Sequence, residues 1–113
     1  MTTIWHNPRC SKSRQTLALL QDHGEDITIR TYLEDAPSPA DIRAALATLD
    51  LRAIDIIRTG EAQFKELGLS KTDPDTTLIA AMAAHPKLIE RPIVFKGDRA
   101  ALGRPPESVL DIL

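Results

Sequence analysis

Cys10 is the only cysteine among the 113 residues, and its neighbours decide what its sulfur can do. A thiol attacks poorly until it ionises, and both a helix N-terminus and nearby cations favour the thiolate. Arg9, Lys12 and Arg14 surround Cys10, and no Asp or Glu occurs between Met1 and Gln21. If a helix begins just after the cysteine, the backbone N–H groups of Ser11, Lys12 and Ser13 have no partners within it. They can face either the sulfur or a bound oxyanion. His6, if protonated and close to the sulfur, would lower the thiol pKa further. Most unpaired cysteines are simply small buried residues, but these flanking residues favour a reactive thiol.

Two familiar thiol motifs are absent. A Cys-x-x-Cys pair would need cysteine where Ser13 stands, and a phosphatase-type Cys-x5-Arg loop would need arginine where Thr16 stands. What remains is Cys-x-x-Ser. Its oxidised form must be resolved by a thiol on another molecule, because a single cysteine cannot close an internal disulfide. A tetrahedral oxyanion substrate would need forked, charge-assisted donors, which arginine supplies. Arg58, Arg91 and Arg104 are the candidates, the first beside Thr59-Gly60 and the others immediately before prolines. The bland reading for each is a solvated surface charge. His23 and His85 read as helix-end residues without metal-ligand companions.

These groups need elements to hold them. Thr2 to His6 is β-prone and Asn7-Pro8 a turn, which puts Cys10 at a strand-to-helix junction. Leu17 and Leu20 share a helix face, and Gly24 suits the C-cap. From Ile27 to Leu33, Ile27, Ile29, Thr31 and Leu33 alternate with polar residues and Tyr32, predicting a strand and hence a βαβ unit. Ser38-Pro39 starts a helix carrying Ile42, Ala45, Leu46 and Leu49 on one face. Shorter helical pieces are expected at 53–57 and 61–67, and another from Asp73-Pro74 to His85. After Arg91-Pro92, the apolar Ile93-Val94-Phe95 reads as a buried strand, with Gly97-Asp98 turning into a partner at 99–102. Pro105-Pro106 opens a last helix with Val109, Leu110 and Leu113 inward. The order is βαβ, helices, ββα.

Length and balance, 42% hydrophobic and 27% charged, suit one domain spanning 1–113 with a helical insertion. A net charge of -2 argues against nucleic-acid binding, which relies on a basic face. One thiol argues against a disulfide scaffold or a cysteine-rich metal site. No leader pattern or membrane-length apolar run is present, so the expectation is a soluble cytoplasmic protein with no membrane partner.

The segment His6-Asn7-Pro8-Arg9-Cys10-Ser11-Lys12-Ser13-Arg14 resembles the active-site stretch of the glutaredoxin-dependent arsenate reductases. Further matches follow in the family's order: Tyr32-Leu33-Glu34, Lys65 to Leu69, His85-Pro86, Glu90 to Val94, and Gly103-Arg104-Pro105. The resemblance implies a thioredoxin-like α/β fold with a helical insertion. It also implies a cis Arg91–Pro92 bond, Cys10 as nucleophile, His6 as its electrostatic helper, and Arg58, Arg91 and Arg104 as the oxyanion group. Ser11, Lys12 and Ser13 would add backbone donors. The implied activity is reduction of arsenate to arsenite, with glutathione as co-substrate, glutaredoxin as partner and no bound cofactor or metal.

Ser11-Lys12 stands where arsenate reductases tend to carry small neutral residues, which leaves a related oxyanion as an alternative substrate. Two other functions fit the scaffold. A regulatory adaptor resembling Spx-type proteins would bind RNA polymerase, but Ser13 removes the second cysteine of a disulfide switch. A glutathione-dependent thiol reductase would share Cys-x-x-Ser but not the helical insertion.

Overall fold

The computed structural model describes every residue from Met1 to Leu113 and divides into two compact units. The first joins Met1–Asp35 to Arg91–Leu113, and the second is Ala36–Glu90. The first unit holds strands β1 (Thr2–Trp5), β2 (Ile27–Arg30), β3 (Ile93–Lys96) and β4 (Arg99–Leu102) in the order β2-β1-β3-β4. β1 runs parallel to β2 and antiparallel to β3, which is antiparallel to β4. Helix α1 (Ser11–Asp22) makes the crossover between the parallel pair, as parallel strands require.

Side chains alternate across the sheet. Ile4 and Val94, opposite one another in the register, face a core closed by Leu20 of α1 and Val109 of the C-terminal segment, with Leu17, Ile27 and Ile112 packed around them. On the opposite face Trp5 and Phe95 meet with ring centroids 5.2 Å apart, and the Arg30 guanidinium lies 5.6 Å from the Trp5 ring centroid. Lys96 and Thr2 both reach Glu25, at 2.8 and 2.6 Å, tying two strands to the loop before β2. The tight turn between β3 and β4 uses Gly97 at φ +60, a conformation a side chain would disfavour.

Two expectations change here. The alternating stretch 27–33 is a strand only through Arg30, because Glu34 and Asp35 N–H groups both donate to the Thr31 carbonyl and fold the chain into a turn. On this edge strand Ile27 reaches the core but Ile29 is 48% exposed, since nothing covers the far end of the face. The last helix is a 3-10 helix, Pro106–Ile112, with Val109 fully buried. The Arg91–Pro92 bond is cis, as is Arg104–Pro105.

The second unit is helical: α2 (Pro39–Leu49), α3 (Ala53–Ile56), α4 (Ala62–Glu66) and α5 (Asp75–Ala84), then a 3-10 turn at Pro86–Leu88. α2 begins in a capping box, Ser38 Oγ accepting from Asp41 N–H and Asp41 Oδ2 accepting from Ser38 N–H, both at 3.1 Å. Ile42, Ala45 and Leu46 of α2 are buried, as are Leu78, Ile79 and Met82 of α5, against which α2 packs. Backbone bonds Arg58 N to Leu88 O and Glu90 N to Ile56 O, each 2.7 Å, fasten the start and end of the unit's second half together. His23 and His85 are the C-caps of α1 and α5. No helix is long and apolar enough to cross a membrane.

Candidate active site

β1 delivers the chain to the carboxyl edge of the sheet, where Asn7 to Arg9 turn before α1. Cys10 is the N-cap residue, in extended conformation (φ -94, ψ 123), and its carbonyl takes the first helical bond from Arg14 N–H. Its side chain makes no conventional capping bond, and the residue is 8% exposed. Burial pushes the thiol pKa up. The Ser13 N–H, the positive charge and hydrogen bond of Arg91, and the Lys12 N–H together outweigh it, so the pKa lies below an ordinary thiol's.

The turn is held by its own polar atoms. Arg9 N–H donates to Asn7 Oδ1 at 3.0 Å, and Arg14 Nη1 donates to the Pro8 carbonyl at 2.9 Å. Ser13 is fully buried, its Oγ accepting from Asn7 N–H at 3.0 Å and lying 2.6 Å from His6 Nδ1. Burial lowers the His6 pKa and the charge of Arg14 lowers it further. The neutral ring is therefore the favoured form near pH 7. The condition on which His6 would lower the thiol pKa, a protonated ring, is thus disfavoured. An imidazolium would be desolvated and repelled by Arg14, while the neutral ring pins Ser13 at the helix start.

Arg91 precedes β3 and Arg104 follows β4, so the hairpin returns both to the same edge. Arg104 Nε donates to the Arg91 carbonyl at 3.0 Å. Arg58 lies in the helical unit, where its Nη1 pairs with Glu61 Oε2 at 2.9 Å and approaches the Lys87 carbonyl at 3.4 Å. The first unit thus brings together Cys10, His6, Ser11, Lys12, Ser13, Arg91 and Arg104, with the Ser11 and Lys12 side chains exposed.

The chain matches the ArsC family model over residues 5–112. It is 43% identical over 112 residues to an arsenate reductase of Haemophilus influenzae, covering 97% of each chain.

The chain belongs to the ArsC family.

A solved arsenate reductase from Vibrio cholerae superposes on this ArsC chain with a TM-score of 0.95, at 47% identity and covering 99% of this chain and 97% of that one. A Streptomyces viridochromogenes protein from the glnII region, with no activity in its name, is 48% identical over 115 residues, covering 97% of each chain. The fold is the thioredoxin-like α/β architecture expected from the motifs.

Two residues of this ArsC site escape sequence reasoning. Gly103 lies so close to Pro92 and Thr16 that a Cβ would stand 2.6 Å from both Pro92 Cγ and Thr16 Oγ1. Thr16 is itself fully buried and donates to the Lys12 carbonyl at 2.8 Å, while Gly103 N–H donates to the Pro92 carbonyl at 2.9 Å. Gly103 and Thr16 therefore join the arginine-bearing segments to the first turn of α1. A glycine directly before Arg104-Pro105 was the only available signal, and the close approach is a property of the folded chain.

Proposed function

We propose that this ArsC protein reduces arsenate to arsenite, with Cys10 as nucleophile and with glutathione and glutaredoxin as reductants. The observation that carries the reading is the Arg91 guanidinium against a Cys10 sulfur that is also faced by helix-end N–H groups. That arrangement favours a thiolate and places donors where an anionic adduct would form. The homologues named as arsenate reductases support arsenate as the oxyanion.

In the proposed sequence the Cys10 thiolate displaces one oxygen of arsenate, which leaves as water after protonation. Glutathione thiolate then attacks the Cys10 sulfur. The electrons of the sulfur–arsenic bond pass to arsenic, releasing arsenite and leaving a Cys10–glutathione disulfide. Glutaredoxin takes the glutathione and restores the Cys10 thiol. Arg91 and Arg104 hold the oxyanion, and the N–H groups of Ser11, Lys12 and Ser13 complete the cradle. His6 acts through Ser13. The single thiol of this reaction needs a glutathione-rich compartment, consistent with a cytoplasmic location.

Arsenite output from purified protein given arsenate, glutathione and glutaredoxin, with each component omitted in turn, tests the reading. Output should require all three and vanish in Cys10→Ser. Arg91→Ala should lose about a hundredfold in kcat/KM, the usual effect of removing one donor to developing charge. Arg91→Lys should recover only part of it, because an ammonium keeps charge but not the fork. Folded wild type that yields no arsenite under these conditions would rule out arsenate and leave a related oxyanion.

A further inference from the structure

Bordering the segment that leads into Cys10 lies a cleft of about 190 Å³, between the loop that follows β1 and the loop that follows β2. Both loops leave the carboxyl ends of neighbouring parallel strands, the edge of an α/β sheet where ligands commonly bind. Asn7, Pro8 and Arg9 form one lip, and Thr31, Leu33 and Glu34 the other. Each lip has a defined backbone: Arg9 N–H is fastened to Asn7 Oδ1, and Glu34 N–H to the Thr31 carbonyl. Arg9 and Glu34 therefore put opposite charges on the same cleft. Neither side chain has an ion pair or hydrogen bond, with each other or with any other residue. Leu33, 38% exposed, adds an apolar surface between polar neighbours.

A ligand that satisfies both lips carries a carboxylate for Arg9, an ammonium for Glu34 and a short methylene stretch for Leu33. That is an amino-acid zwitterion. Arg9 alone would accept any carboxylate, whereas Glu34 repels one that lacks a neighbouring ammonium, so the pair discriminates as well as attracts. Arg9 is joined directly to Cys10, and His6, which also lines the cleft, meets Ser13 in the first turn of α1, so the cleft borders the segment that carries the sulfur.

We infer that this cleft binds the γ-glutamyl end of the reducing thiol. The inference rests on the proposed use of glutathione, and it assigns that tripeptide an orientation. The γ-glutamyl end, with ammonium and carboxylate on one carbon, enters the cleft, the sulfur faces Cys10, and the glycyl end, a carboxylate alone, points away.

The test does not involve arsenate. Cys10 is converted to a mixed disulfide with a chromogenic aromatic thiol. An attacking thiolate then forms a new sulfur–sulfur bond to Cys10, the old bond breaks, and the coloured aromatic thiolate leaves. Rates are measured against concentration for glutathione, γ-glutamylcysteine and cysteinylglycine, each corrected for its thiolate fraction. γ-Glutamylcysteine should match glutathione within about twofold, and cysteinylglycine should be roughly tenfold less efficient, the scale of one charged hydrogen bond. Glu34→Gln, at an exposed position, should raise the half-saturating concentration of both γ-glutamyl thiols and bring the ratio between γ-glutamylcysteine and cysteinylglycine toward one. Equal efficiency of cysteinylglycine and glutathione in wild type, or an unchanged ratio in folded Glu34→Gln, would overturn the assignment. Discrimination by a protein that yields no arsenite would separate failure of the arsenate reading from failure of this one.

Discussion

Replacing Gly103 by Ala should both destabilise the protein and blunt its thiol. The added Cβ would stand 2.6 Å from Pro92 Cγ and Thr16 Oγ1, and 3.1 Å from Pro92 Cδ. Ordinary carbon contacts lie near 3.5–4.0 Å, so the neighbours must retreat by about 1 Å. Neither is free to do so: Pro92 is a buried ring whose carbonyl holds Gly103 N–H, and Thr16 is buried and bonded to Lys12. Overpacking of this kind costs roughly 1–3 kcal/mol. Gly103 lies outside the left-handed region, so Ala also stabilises by reducing unfolded-chain entropy, by about 0.4–1 kcal/mol. The net expectation is a loss of about 1–2 kcal/mol, or roughly 4–8 °C in Tm for a domain of this size. Whichever neighbour yields, Cys10 loses support. Movement of Pro92 draws Arg91 away, and movement of Thr16 shifts the turn that presents the Lys12 and Ser13 N–H groups. Thermal unfolding and the pH midpoint of Cys10 alkylation should therefore change together, Tm falling and the midpoint rising. A variant with unchanged Tm and midpoint would refute the proposed coupling.

Three further outcomes follow from the same geometry. The alkylation midpoint of wild-type Cys10 should lie below the ordinary thiol value of about 8.5. Because the folded pKa is the lower one, the thiolate's stabilisation should be fully present above the unfolded value and lost as pH falls through the folded value, which denaturant midpoints of wild type and Cys10→Ala compared across that range would show. His6 has a pKa depressed by burial and by Arg14 in the folded protein, so stability should fall as pH drops below about 6.5, where the unfolded imidazole takes a proton first. In His6→Asn that part of the slope should disappear from urea titrations at stepped pH, and an unchanged slope would count against it. Arg91→Ala should raise the alkylation midpoint while Arg104→Ala leaves it near wild type, since Arg91 bonds the sulfur and Arg104 Nε is committed to the Arg91 carbonyl. Equal shifts in the two variants would contradict that division of roles.

Much of this was legible in the residue order because it depends on neighbours along the chain. The strand–turn–helix at 2–22 follows from β-prone residues, Asn7-Pro8 and periodic leucines, and it alone puts Cys10 at a helix start. The Ser38-Pro39 start of α2 and the Gly97-Asp98 hairpin are equally local, set by a capping hydroxyl and a positive φ. Other features required distant segments to meet. The alternation from Ile27 to Leu33 could not reveal that the strand stops at Arg30 or that Ile29 is left uncovered, because strand length depends on the available partner backbone. His6 could be identified as a neighbour of the site, but not its lowered pKa, since that depends on burial and on Arg14. Gly103 was legible only as the glycine before Arg104-Pro105, its role arising where three separate segments come within contact distance. Sequence thus determined the place of Cys10 and the elements that carry it, whereas tertiary packing determined the lowered pKa of His6, the coupling of Arg91 to Cys10 and the meeting of Arg9 and Glu34 at one cleft.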